Sequence, residues 1–318
     1  ETAFYMAQDA LEEPSANVLV AMSGSLHSRT LLDRAIWCAR EALKIDSTVD
    51  GGRLRLASAL VASGQGQQAS QILLQELREA PGNVQALLVH ADVLAESGRT
   101  NEALIKLHRV LELEPANVDA HIRAGNFAMS EERWEEAFIA WGLVRRLYPG
   151  HPTACLHLAQ ALIAMQRPSA AGPLLQEFVE QMDESSPLSE KILISELLLV
   201  SSEPESATTL LEPLQKTIAD DNSLKVKYLR LLALSLFDSG SIDEGAAISR
   251  KVLRFEPDCV SSIHNLALAA MKNNRYRSAW GWVRRGLTVD PLDNDLRRLR
   301  SRLIWDGMTQ IVRKIFKK

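Results

Sequence analysis

Small side chains mark this chain at a fixed period. Ala35, Ala69, Ala103, Ala137 and Ala171 stand 34 residues apart, and Ala207, Gly245 and Ala279 continue the series after short insertions placed at 183–187 and 220–225. Twelve residues before each lies another small residue: Ser23, Ala57, Ala91, Gly125, Ala159, Ser195, Ala233 and Ala267. Twelve residues after fall Pro81, Pro115, Pro149, Pro257 and Pro291, with Ser47, Asp183 and Ala219 where proline is absent. Larger apolar residues occupy the spaces between, such as Leu94, Leu107 and Leu111 in one unit and Trp141 and Leu147 in the next. Self-similarity at this period is the mark of a stacked repeat, in which each unit cannot bury its apolar face alone.

Each series has a physical reason. Two helices approach closely only where side chains are small, so Ala91 and Ala103 predict the crossing point of one hairpin. Pro115 lacks an amide proton and restricts the residue before it, which ends the second helix. Gly64, Gly98 and Gly240 permit the left-handed conformation that closes the first helix, and Asn274 takes that place in the last unit. Trp134 and Tyr276 stand just after the turn, as structural aromatics.

The stretch from Leu87 to Pro115, LLVHADVLAESGRTNEALIKLHRVLELEP, carries all of these features, and on it the chain resembles the tetratricopeptide repeat family. The resemblance extends over nearly the whole sequence. It implies an all-α, right-handed superhelical solenoid of antiparallel helix hairpins, with the first helix of each hairpin lining a concave face. Residues 16–293 are expected to form eight such repeats. Residues 1–15 repeat the spacing of a second helix (Ala3, Ala7, Ala10 and Leu11 against Ala35, Ala39, Ala42 and Leu43), so the chain is expected to start in mid-repeat. Residues 294–318 are expected to form a capping helix, Asn294 to Trp305, and a basic amphipathic tail, Thr309 to Lys318.

Composition agrees with helices: Ala and Leu outnumber the β-branched residues, and aromatics make up 5%. The formal net charge of −4 predicts no whole-molecule attraction to nucleic acid or anionic membrane. Contact of either kind is expected only through the basic C-terminus, where Ile311, Val312, Ile315 and Phe316 alternate with Arg313, Lys314, Lys317 and Lys318. A cap docked on the preceding repeat is the simpler use of that segment. No apolar run reaches the roughly 18 residues of a membrane span. Cys38, Cys155 and Cys259 are odd in number and far apart, which argues against a disulfide framework or a zinc site and predicts buried small hydrophobes. They fit a reducing compartment, and a cytoplasmic location is expected.

Candidate chemistry is sparse. Gly64 to Ala69 matches GxGxxA, but that pattern binds dinucleotides only between a strand and a helix, and here it lies on an inter-helix turn. No catalytic motif, cofactor-binding motif or metal-ligand spacing is present, so no enzyme activity, cofactor, metal or small-molecule substrate is expected. The resemblance implies a partner-binding groove instead. Its polar ladder is Ser58, Asp92, Asn126, Gln160 and Glu196, flanked by Arg55, Arg123 and His157. Leu54, Leu88, Ile122, Leu156 and Ile192 are expected as apolar rungs beside it. Apolar contact for affinity and directional groups for register suit an extended peptide or a helix. The expected function is a non-enzymatic scaffold or adaptor that holds a protein or peptide. The alternatives are a docking domain of a larger enzyme, or a membrane- or nucleic-acid-associated array using the basic end.

Overall fold

The computed structural model describes residues 15–28, 31–183, 185–218 and 222–315, with the backbone alone at 216, 222–223 and 306–315. Residues 1–14 of the half-repeat expected at 1–15 and the last three residues lie outside the described residues, as do the side chains of 306–315. Among the described residues are seventeen α-helices and no strand. First and second members of hairpins alternate: α1 (Ala16–Ser28) and α2 (Leu32–Ile45), α3 (Gly52–Ala62) and α4 (Gly66–Glu79), α5 (Val84–Glu96) and α6 (Thr100–Leu113), α7 (Val118–Ser130) and α8 (Trp134–Leu147). They continue as α9 (Ala154–Ala164) and α10 (Pro168–Gln181), α11 (Leu188–Val200) and α12 (Pro204–Leu211), α13 (Asn222–Asp238) and α14 (Ile242–Phe255), α15 (Val260–Lys272) and α16 (Tyr276–Val289). The final helix is α17 (Asn294–Ile315).

The chain divides into two compact units at Ala154 and Cys155. Neither has a single centre. In the first, one apolar cluster runs from Ala16 to Val93 and another from Leu87 to Ala120. In the second, clusters succeed one another at Ile192 to Val252, Ala246 to Ala269 and Ala267 to Leu303. Within each unit the main helix contacts are with the next helix or the next but one, such as α5 with α6 and α7, or α13 with α14 and α15. This is the all-α repeat stack that the spacing predicts, with stability shared between neighbours.

The small-residue series sits where the helices of a hairpin meet. Ala57, Ala69, Ala91, Ala103, Ala137, Ala159, Ala171, Ala207, Ala267 and Ala279 are all fully buried. Where alanine gives way to glycine, an aromatic from the partner helix takes the space. A Cβ on Gly125 of α7 would lie 2.7 Å from Nε1 of Trp141 on α8. A Cβ on Gly245 of α14 would lie 2.7 Å from Cδ2 of Phe237 on α13.

Among the described residues, the turn inside each of the seven hairpins from α3 onward passes through one left-handed residue. Gly64, Gly98 and Gly240 take φ of 76°, 76° and 93°, and Asn274 takes 57°. Arg99 N–H donates to Leu94 O at 2.8 Å and Gly98 N–H to Ala95 O at 2.9 Å, the paired bonds that close a helix through a left-handed residue. Glu132, Gln166 and Ser202 adopt the same conformation (φ 57°, 61° and 64°) without glycine's freedom, so the register holds the turn there in spite of its steric cost. Three helices are opened by side-chain caps two residues after the proline: Asn83 Oδ1 accepts from Ala86 N–H at 3.1 Å, Asn117 Oδ1 from Ala120 N–H at 2.9 Å, and Asp293 Oδ1 from Leu296 N–H at 2.7 Å.

Four expectations are corrected. Leu147, expected in the core, is 38% exposed at the last turn of α8. Cys259, expected buried with Cys38 and Cys155, is only half-buried because it occupies the cap position of α15. The cap and tail expected as two segments form one continuous helix, α17. The second insertion does not fall at 220–225 alone: Pro213 stops α12 after eight residues, a 3-10 turn at Glu212–Lys216 follows, and residues 222–225 extend α13 to seventeen.

Candidate functional site

The first helices carry the expected ladder, and each unit presents its own part of it. In the first unit, Arg123 of α7 donates from Nε to both oxygens of Asp92 on α5, at 2.8 and 3.1 Å, and from a terminal nitrogen to Asp119 O at 3.2 Å. Two residues expected to face a partner therefore neutralise each other across neighbouring repeats. Asn126, one turn along α7, is exposed. Arg55 of α3 is exposed with its guanidinium against Gly24 of α1, and Ser58 is half-buried beside it.

The apolar rungs are a correction. Leu88 is 1% exposed and Leu156 is 7% exposed, and Ile192 is likewise buried, while Leu54 and Ile122 are half-buried. Leu88, Leu156 and Ile192 fill the core and offer a partner no surface, while Leu54 and Ile122 keep part of theirs.

In the second unit His157 and Gln160 face each other on α9, with Nδ1 3.2 Å from Oε1. Glu196 of α11 pairs with Lys227 of α13 at 2.7 Å. That pair stands at the edge of a concave pocket of about 610 Å³ between α11, α13, α15 and the start of α17. Arg230, Leu231 and Leu234 come from α13, His264 and Asn265 from α15, and Asp295 from α17.

The polar groups of this pocket differ in one respect from the ladder of the first unit. Asn265 is only 8% exposed, and its amide, without a hydrogen-bond partner among the described residues, keeps its polar atoms open to the pocket. Such an amide is satisfied by water until a ligand replaces it. Arg230 is exposed beside it and has no ion-pair partner among the described residues. Burial holds the His264 imidazole below its ordinary pKa, against the opposing pull of Asp295 and Asp293, so it stands neutral at physiological pH.

None of these residues was singled out from the sequence, although a signal was present. Arg230 and His264 occupy the register of Leu54, Leu88, Ile122, Leu156 and Ile192, and Asn265 occupies that of Arg55, Arg123 and His157. A series that is aliphatic for five repeats turns cationic and then aromatic-polar in the last two.

No group of three histidine, cysteine or acidic side chains among the described residues is placed to hold a metal ion, and no described helix is long and apolar enough to cross a membrane.

Comparison with known proteins agrees with the hairpin geometry. A family model described as tetratricopeptide repeat matches residues 54–117 and 88–152, and hairpins of the same register occupy the described residues on either side. Residues 54–152 match the tetratricopeptide repeat family. Its structure resembles that of PilF from Pseudomonas aeruginosa (TM-score 0.57, 17% identity, 69% of this chain and 96% of that one). It also resembles a tetratricopeptide repeat protein from Parabacteroides merdae (TM-score 0.51, 14% identity, 80% of this chain and 98% of that one). Identities this low speak for the fold alone. No curated protein matches the sequence significantly. Tetratricopeptide repeats form protein-interaction scaffolds, and their fold is typically non-catalytic.

Proposed function

We propose that this chain is a non-enzymatic scaffold that holds an extended segment of a partner protein against its first helices, with its principal contact in the second unit. The reading rests on Asn265, a nearly buried amide with free donors and acceptor facing a cavity of about 610 Å³. An asparagine side chain satisfies the N–H and C=O of an extended backbone together, whatever the side chains of that segment. Arg230 then selects an acidic side chain or terminal carboxylate, and Leu234, exposed on the same helix, supplies apolar contact. In the first unit Asn126 and the Arg123–Asp92 pair form a second, more polar contact face, joined there by Arg55 and Ser58. Gln160, His157 and Glu196 are the corresponding positions at the start of the second unit.

The test is a photo-crosslinking residue at position 234 in the native host, read by mass spectrometry. Proteins captured there should be lost in the Asn265→Ala, Arg230→Ala double variant at unchanged melting temperature. The same proteins captured equally from a probe at Ile139, which is exposed on a second helix, would reject the inner face as the binding site.

A further inference from the structure

The last helix carries two apolar stripes, and they face different ways. Leu296, Leu299 and Leu303 of α17 are buried in the cluster formed with α15 and α16. At 3.6 residues per turn these three positions share one face. In the same register Ile304, Met308, Ile311, Val312 and Ile315 form a second stripe, about 130° further round the helix. A continuous helix cannot turn both toward α16. Exposure agrees where the stripes diverge: Ile304 is 43% exposed, and Trp305, at the edge of the second stripe, is 69% exposed.

Length argues the same way. Leu296 lies against Gly286 near the C-terminal end of α16, and a short turn joins the two helices. With equal rise per residue, α16 therefore begins at Tyr276 opposite about residue 306 of α17. The last turns of α17, which hold most of the second stripe, run past that point to Ile315.

Charge names the occupant. Residues 294–318 hold eight lysines and arginines against two aspartates, in a chain of formal net charge −4. Arg297, Arg298, Arg300 and Arg302 are exposed, and register puts Arg297 and Arg300 in line with the second stripe. One side of α17 is thus basic along its first turns and apolar along its last.

We propose that α17 lies on an anionic lipid bilayer, with the second stripe seated at the headgroup boundary and the arginines of the first turns held to the headgroup phosphates. An aliphatic stripe edged by tryptophan and accompanied by cations is the composition of an interfacial helix. Nucleic acid would reward the cations but find nothing to contact in the aliphatic stripe. A second copy of α17 could cover the stripe only by bringing like charges together. The surface is independent of the partner pocket on the inner face.

Flotation of the full chain tests this, with vesicles of phosphatidylcholine alone and of phosphatidylcholine and phosphatidylglycerol in equal parts. The chain should float with the mixed vesicles and not with phosphatidylcholine alone, and should do so less as salt rises. Ile311→Ser with Ile315→Ser keeps the charge, and Arg297→Gln with Arg300→Gln keeps the stripe. Each pair should weaken binding about tenfold or more at unchanged melting temperature. Brominated lipid in the mixed vesicles should quench tryptophan fluorescence, and Trp305→Phe should remove most of that quenching. Absence of flotation with the mixed vesicles, or flotation indifferent to the isoleucine pair, would overturn the proposal. Tighter binding of a duplex DNA or RNA probe than of the vesicles, weakened by the arginine pair alone, would assign the surface to nucleic acid and reject the bilayer. A concentration-dependent dimer that the isoleucine pair dissolves, with no vesicle binding, would assign the stripe to a second copy and reject it equally.

Discussion

At the scale of single residues, burial decides which polar groups are held in which state. His90 is buried on α5 with Nε2 3.1 Å from the Ser70 hydroxyl, and its pKa is lowered to about 4. Desolvation is the largest cause, with Lys106 and Arg99 adding repulsion and Glu102 opposing them. The unfolded chain therefore takes up a proton near pH 6.5 that the folded chain refuses until about pH 4. Between those values the unfolded state binds more protons, so stability falls as the pH drops through that window and levels off below it. The loss is on the order of 3 kcal/mol for this one residue. Thermal melts at pH 7, 5.5 and 4.5 should show that slope, and His90→Gln, which keeps a partner for Ser70, should flatten it. An unchanged slope would assign the acid sensitivity to other groups.

At the scale of helices and hairpins, most of what the structure contains was legible from spacing alone. Fully buried alanines, proline-ended second helices and left-handed glycine turns all follow from sterics that act within one or two turns, so a single sequence displays them. What escaped was set by partners far along the chain or by compensation. Glu132, Gln166 and Ser202 hold the turn without a glycine to announce it, because the surrounding packing outweighs the local penalty. The inward set of Leu88 and Leu156 depends on the rotation of each first helix against its second, which hydrophobicity alone does not report. Likewise the Arg123–Asp92 pair crosses between repeats, and Asn265 is conspicuous only once its lack of a partner is visible. The glycine and aromatic exchange also belongs to this scale. Gly125→Ala should cost about 1 to 3 kcal/mol, because Trp141 is fully buried and has nowhere to move. Trp141→Leu should cost stability alone yet less in the Gly125→Ala background, and a double-mutant cycle by urea denaturation measures that coupling.

For the whole molecule, the succession of small cores has consequences that a globular domain would not share. Main helix contacts stop at the next helix but one, so damage in one hairpin should spread no further than its neighbours. Hydrogen exchange read by mass spectrometry on Gly125→Leu should show faster exchange in α5 to α8 and unchanged exchange in α15 to α17. Uniform acceleration along the chain would mean that the repeats unfold as one body.

The exchange of glycine for alanine opposite a tryptophan also says which piece of this chain is modular. Helix α7 has given up the methyl group that α8 needs to be absent, so neither helix is a fit replacement for its counterpart in another repeat. Transplanted singly, α7 would leave a void against an alanine-sized neighbour, and α8 would drive an indole into an alanine methyl. Moved together, they carry lock and key with them. Duplication and recombination can therefore rearrange this array by whole hairpins while keeping its volume constant, and must break it at the proline between one hairpin and the next, never within a hairpin.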